Sequence, residues 1–292
     1  MRLVSLTPSN TDIVLSLGRE KDLVGVDRWS LEDRYLGPHL QHCANVGGDL
    51  TVDVEKVAAL KPDLVLASLS VPGMERGVAK LQEMGLPYVV VESHTLDGVR
   101  KGIRQVAQAL SLEEKGEEVV ARLDEDLREA REEALRAREA RAQKGIPLPQ
   151  KAAWEWWPKP IIVAGRPSWI HEMLELLGLE PVFSDLEKES SPVEAEEVVR
   201  RQPDTYFVCW CGSGERRMKV KDIASRPGWE ELPLVRERRI FLLPERYYGR
   251  PGPLLGQGMR YLARFLYGRD REAYEAWARE EARLERDAFV YG

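Results

Sequence analysis

Short apolar runs alternate with stretches of helical periodicity through the first hundred residues. Leu3 to Leu6, Leu23 to Val26, Leu64 to Ala67 and Tyr88 to Val91 are rich in aliphatic and β-branched residues, and each is followed by a helix or loop pattern. They predict strands, and strands alternating with helices predict parallel α/β architecture. The texture changes at Ser111, where Ser-Leu-Glu-Glu predicts a capping box and Val119, Leu123, Leu127, Ala130 and Ala134 recur at helical spacing as far as Gly145 and Pro147. Thirty-odd residues make a helix of roughly 50 Å, longer than one lobe of this size is wide. Such a helix reads as a brace across two lobes.

The second half of the chain repeats the first. Asp53-Val-Glu-Lys-Val-Ala-Ala-Leu-Lys-Pro-Asp63 answers Glu194-Ala-Glu-Glu-Val-Val-Arg-Arg-Gln-Pro-Asp204, each an acidic helix start, then Pro-Asp, then an apolar strand. Upstream, Leu3 to Ser9 and the helix to Gly18 answer Ile161 to Ser168 and the helix to Gly178. The expected fold is therefore α/β, with two three-layer α/β/α lobes built on parallel sheets and joined by one long helix. Residues 1–109 form the first lobe, 110–146 the linker helix and 147–292 the second lobe. Two such lobes predict a cleft where the carboxyl ends of their strands face each other.

Length and composition narrow the function. A chain of 292 residues, 43% hydrophobic and 32% charged, is globular and fits one large or two medium domains. No stretch approaches the roughly 20 uninterrupted apolar residues that span a bilayer. A net charge of −6 is the wrong sign for a nucleic-acid partner. The start, Met-Arg-Leu-Val-Ser-Leu, is already a strand pattern without an export signal. That leaves open a cytoplasmic location or a chain that begins after a removed signal.

Catalytic motifs mostly fail. Gly212-Ser-Gly214 begins like a dinucleotide turn but continues with Glu-Arg-Arg217, and His171-Glu-Met-Leu-Glu175 lacks the second histidine of a zinc-protease helix. His39, His42 and Cys43 could meet around a soft metal only if their loop curled, and a solvated loop is the preferred reading. Cys209 and Cys211 flank Trp210 on one strand face and read as inert thiols. No enzyme, cofactor or resident metal is expected. Aromatic residues are more telling: Trp29, Trp154, Trp156, Trp157, Trp169, Trp210, Tyr247 and Tyr248 fall at or after strand ends. Core packing accounts for some of them, whereas the Pro- and Gly-rich contexts of Trp156, Trp157, Tyr247 and Tyr248 suit the walls of a site for a flat, largely apolar ligand. Glu75 and Glu215, each followed by Arg after the strand of its own repeat, are either solvated helix-start residues or two points of a docking surface.

Leu3-Val-Ser-Leu-Thr-Pro-Ser-Asn-Thr-Asp12 with Leu17-Gly18, Val24-Gly-Val-Asp27, Val46-Gly-Gly48, Glu55 to Leu66, and Glu75-Arg76 with Leu81 and Gly85 resemble the helical-backbone (class III) substrate-binding proteins of ABC importers. Within that family the cobalamin (vitamin B12) binders stand nearest, and the siderophore and haem binders stand behind. The resemblance covers nearly the whole chain. It implies a non-enzymatic, monomeric binder, periplasmic or at the cell surface, that captures a corrinoid or another metal chelate and delivers it to a membrane permease. It implies that Pro8, Ser9, the Trp29 loop and the Tyr247 to Arg250 segment line the cleft, with Trp156, Trp157 and Trp210 added from the aromatic pattern. It also implies that Glu75, and Glu215 through the repeat, dock on the permease. The loop Asp27-Arg-Trp-Ser-Leu-Glu32 departs from the Tyr- and Pro-rich segment of the cobalamin binders. A siderophore or haem binder would instead use Arg28, Arg166 and Arg250 to grip anionic groups. A cytosolic sensor or enzyme derived from the fold would explain the missing signal.

Overall fold

The computed structural model describes residues 1–48, 50–71, 73–146, 148–212 and 219–267. The described residues divide into two compact units: residues 1–122 with 250–253, and residues 123–249 with 254–267.

The first unit runs β1 (Leu3–Ser5), α1 (Pro8–Ser16), β2 (Leu23–Val26), α2 (Arg28–Glu32), β3 (Ala44–Asn45), β4 (Gly47–Gly48), β5 (Thr51–Val52), α3 (Val54–Ala59), β6 (Leu64–Ser68), α4 (Glu75–Glu83), β7 (Tyr88–Val91) and α5 (Leu96–Ala109). Five strands form a parallel sheet in the order β3-β2-β1-β6-β7, and β4 pairs with β5 as a small antiparallel hairpin. Alternation along the strands feeds two cores. Val4, Val65 and Ala67 pack with Val54, Val57 and Leu81 of α3 and α4, while α1 and α5 lie against each other and against β1, β6 and β7. Ile13, Ile103 and Val106 are fully buried there, each worth about 1.5 to 3 kcal/mol of transfer free energy. Side-chain caps start three of the helices: Asp27, Asp53 and Thr95 accept the amides of Ser30, Lys56 and Gly98.

The long helix α6 (Glu113–Gln143) begins later than its sequence pattern predicts. Ser111 has a φ of 55°, in the left-handed region, and its amide donates to the carbonyl of Gln108. An N-cap needs extended backbone, so Ser111 closes α5 instead of opening α6.

The second unit contains β8 (Lys151–Pro158), β9 (Ile161–Ala164), α7 (Trp169–Leu176), β10 (Glu180–Pro181), β11 (Ser190–Val193), α8 (Ala195–Arg201), β12 (Thr205–Val208), α9 (Val220–Ala224), α10 (Pro233–Arg236), β13 (Ile240–Leu242), α11 (Glu245–Tyr248) and α12 (Leu255–Tyr267). Its sheet order is β11-β9-β8-β12-β13, with β10 beside β8. Unlike the wholly parallel sheet expected, β9 runs antiparallel to both β8 and β11. The reason is connection length: only Lys159 and Pro160 separate β8 from β9, and a parallel pair needs a crossover of a dozen or more residues. The repeat is present in the register. Leu3 pairs with Leu64 in the first sheet and Ala152 with Thr205 in the second, so β8 occupies the place of β1, and β9, which the sequence matched to β1, is an added strand.

Candidate functional site

Each unit presents its chemistry at the carboxyl edge of its sheet, where parallel α/β folds bind ligands. In the first unit, β1 leads directly into α1, and the turn carries a chain of hydroxyls. Thr7 Oγ1 lies 3.1 Å from Ser9 Oγ, and Thr11 Oγ1 donates to Ser5 Oγ at 2.8 Å. Ser30 Oγ bridges Thr11 Oγ1 at 3.1 Å and Asp27 Oδ2 at 2.5 Å. Asn10 Nδ2 donates across to the carbonyl of Ala67 at 2.9 Å. These bonds fasten the starts of α1 and α2 to the ends of β1 and β6. Pro8 sits half-buried at the first position of α1 and Ser9 is buried. Trp29 is half-buried on α2, with the Arg28 guanidinium 4.2 Å from its ring centroid.

Arg250 belongs to this same unit although it follows the second sheet in sequence. Its Nη2 donates to Asp33 Oδ2 at 2.6 Å, and its Nη1 lies 3.6 Å from Asp12 Oδ2. All three side chains are at least nine-tenths covered. Burial alone would raise the Asp33 pKa, but the Arg250 charge and the amides of Leu36 and Tyr35 outweigh it and hold the carboxyl below its ordinary value. Arg250 is thus balanced by two carboxylates of the protein itself.

In the second unit, β8 places residues alternately on two faces. Trp154 and Trp156 point one way: Trp154 lies 5.6 Å from Trp156 and from Tyr248, 5.5 Å from Phe207, and Trp156 lies 5.6 Å from Trp169. Glu155 points the other way and is fully buried. It accepts both guanidinium nitrogens of Arg226 at 2.5 and 2.8 Å, the Tyr206 hydroxyl at 2.5 Å and the Trp210 indole N–H at 2.8 Å. Burial, then the Glu155 charge, push the Tyr206 phenol well above its ordinary pKa. Arg226 loses some basicity to burial, but its bonds to Glu155 leave it more basic than usual.

The sequence-derived residues therefore part company. Trp157 is 39% exposed at the end of β8 and Trp210 is half-buried two residues beyond β12. Tyr248 is 1% exposed: its ring meets Trp154, its hydroxyl donates to Gly258 O at 2.8 Å, and its own carbonyl accepts the Trp169 indole at 2.9 Å. Tyr247 is buried beside Tyr261 at 5.3 Å. The Pro and Gly that suggested a loop there instead follow a short helix whose rings enter the core. Arg28 and Arg166 are exposed. Glu75 is exposed at the first position of α4; bonds from its own amide and that of Gly73 lower its pKa. Glu215 lies outside the described residues. Cys43 donates to Leu23 O and burial pushes its thiol up to about 11; among the described residues no group of three His, Cys, Asp or Glu could hold a metal ion. Among them, too, no helix is long and apolar enough to cross a membrane. Glu155, Arg226 and Asp33 escaped the sequence reading. The signal available for Glu155 was a lone carboxylate at the centre of an apolar strand.

A sequence model of the family described as periplasmic binding protein matches residues 3–247. The chain is 29% identical over 269 residues to the uncharacterized ABC transporter substrate-binding lipoprotein YvrC of Bacillus subtilis, covering 91% of this chain and 80% of that one. It is 27% identical over 254 residues to the vitamin B12-binding protein of Vibrio parahaemolyticus, covering 86% and 84%. Among solved structures, the periplasmic heme-binding protein RhuT from Roseiflexus sp. RS-1 in apo form aligns with a TM-score of 0.75 at 27% identity, covering 91% and 97%.

Proposed function

Because this chain belongs to the periplasmic binding protein family, as a class III substrate-binding component of ABC importers, we propose that its ligand is a corrinoid of the cobalamin type. The observation that carries the reading is the pairing of aromatic strand ends with a neutralised arginine. Trp29, Trp157 and Trp210 stand at or just past the carboxyl edges of their sheets, and rings there suit a broad, flat ligand with polar edges; Trp156, buried between Trp154 and Trp169, packs behind them. Arg250, one of the three arginines that could grip an anionic chelate, is balanced by Asp12 and Asp33, which weighs against its use for a ligand recognised through carboxylates. Similarity to a vitamin B12-binding protein points the same way, while the similarity to RhuT makes haem the chief rival. In this reading the protein is exported, works as a monomer without catalysing a reaction, and uses residues 110–146 to link portions 1–109 and 147–292.

Titration calorimetry with cobalamin, haem and a ferric siderophore tests the assignment. The expected result is one-to-one heat with cobalamin and quenching of tryptophan fluorescence; heat with haem or the siderophore and none with cobalamin would overturn it. Trp29→Ala should weaken cobalamin binding by about 1 to 3 kcal/mol, the loss of one stacked ring. Its melting temperature should stay near that of the parent, because the ring is only half-buried. A large fall in melting temperature at unchanged affinity would make Trp29 a packing residue instead.

Glu75 is proposed as a docking point for a permease cation. Its carboxylate stays ionised to lower pH than usual, is exposed, and crowns α4. Reconstituted in liposomes with its cognate permease, the Glu75→Lys chain should fail to stimulate ATP hydrolysis while binding ligand normally. Full stimulation would return Glu75 to the role of a solvated helix start.

A further inference from the structure

We propose that Glu155 is a positioning residue for the ligand site: its buried carboxylate fixes the indole of Trp210 at the carboxyl edge of the second sheet, and ligand affinity depends on that bond. The inference rests on the reading of Trp210 as a ligand-facing residue and assigns the group behind it. Glu155 sits mid-strand in β8, fully buried, and accepts four hydrogen bonds. Three come from Arg226, whose charge balances the carboxylate, and from the neutral Tyr206 hydroxyl. The fourth comes from Trp210, half-buried past the end of β12. A carboxylate already held by a bidentate guanidinium and a phenol cannot swing, so its remaining lone pair is a fixed anchor. The anchored indole in turn keeps one ring orientation, and the ordering cost of binding is reduced in advance. A buried Glu–Arg pair is weak support for stability on its own terms, since an apolar pair of similar volume often does as well. The added bond to a residue at the strand edge gives this pair a second role.

The test separates positioning from structure and from ligand identity. In the parent chain labelled with nitrogen-15, the indole N–H signal of Trp210, assigned by its loss in Trp210→Phe, should be slow to exchange with solvent. In Glu155→Gln it should shift and exchange faster while the other indole signals stay in place. An unmoved Trp210 signal would overturn the inference whatever the ligand proves to be. With cyanocobalamin as probe, Trp210→Phe and Glu155→Gln should each weaken binding about tenfold, the value of a hydrogen bond to a charged group. The double variant should bind no more weakly than either single one, and additive losses would show that Glu155 does not act through Trp210. Should Glu155→Gln fail to fold, Glu155→Gln with Arg226→Met removes both charges together and serves for the same measurements. If neither folds, unchanged affinity in Trp210→Phe overturns the proposal and a tenfold loss supports it. Absence of cyanocobalamin binding in the parent would sink the corrinoid reading alone, leaving the indole signal to decide this one.

Discussion

Arg250→Met is expected to destabilise the first unit by about 3 to 5 kcal/mol, the usual cost of removing one partner from a buried charge cluster. The substitution keeps much of the side-chain volume but leaves Asp33 and Asp12 buried without their shared cation. Urea denaturation at neutral pH would measure it, and a change within about 0.5 kcal/mol, as for an ordinary surface substitution, would contradict the burial argument. The same cluster predicts an acid response with a definite sign. The folded pKa of Asp33 lies below its unfolded value, so its contribution is fully present above about pH 4 and is lost as pH falls through the folded pKa. Asp33→Asn should therefore be less stable than the parent at neutral pH and should lose less on acidification below pH 4.

Tyr248→Ala is expected to cost about 3 to 5 kcal/mol of stability and to change ligand affinity little. Its ring fills space against Trp154 and its hydroxyl donates to the Gly258 carbonyl, so truncation opens a cavity and removes a buried hydrogen bond. Tyr248→Phe isolates the second effect and should cost about 1 kcal/mol. Thermal denaturation beside a cobalamin titration would decide it. Full stability with abolished binding would return Tyr248 to the site.

What the sequence made legible followed from local rules. The strand at Leu64 and its partner at Thr205 each follow Pro-Asp after a short amphipathic helix, and both lie where the repeat predicted. The long helix was legible from its periodicity, but its start was not. Ser-Leu-Glu-Glu satisfies the cap pattern, and only the backbone shows that Ser111 turns left-handed to finish the helix before it. The added strand β9 was mistaken for the counterpart of β1 because both are short apolar runs followed by a Ser-containing turn and a helix; pairing direction is invisible in such a run. At the site, the Trp and Tyr clusters were visible as composition, yet which rings enter the core depends on alternation about a strand and on partners up to about a hundred residues away. Glu155 meets Arg226 across 71 positions and Arg250 meets Asp33 across 217, and no periodicity in one chain encodes such meetings.

That last separation has a consequence for biogenesis. The first unit is not contiguous: four residues from near the end of the second half, Arg250 to Pro253, complete it. As the chain leaves the ribosome, the first sheet and its helices are made long before the guanidinium that neutralises Asp12 and Asp33. Until residue 250 is made, those carboxylates must stay hydrated or protonated, so the end of the first unit that holds them closes last. Fragment 1–122 is accordingly expected to be marginal by itself and to be rescued by circular permutation that places 250–253 beside it.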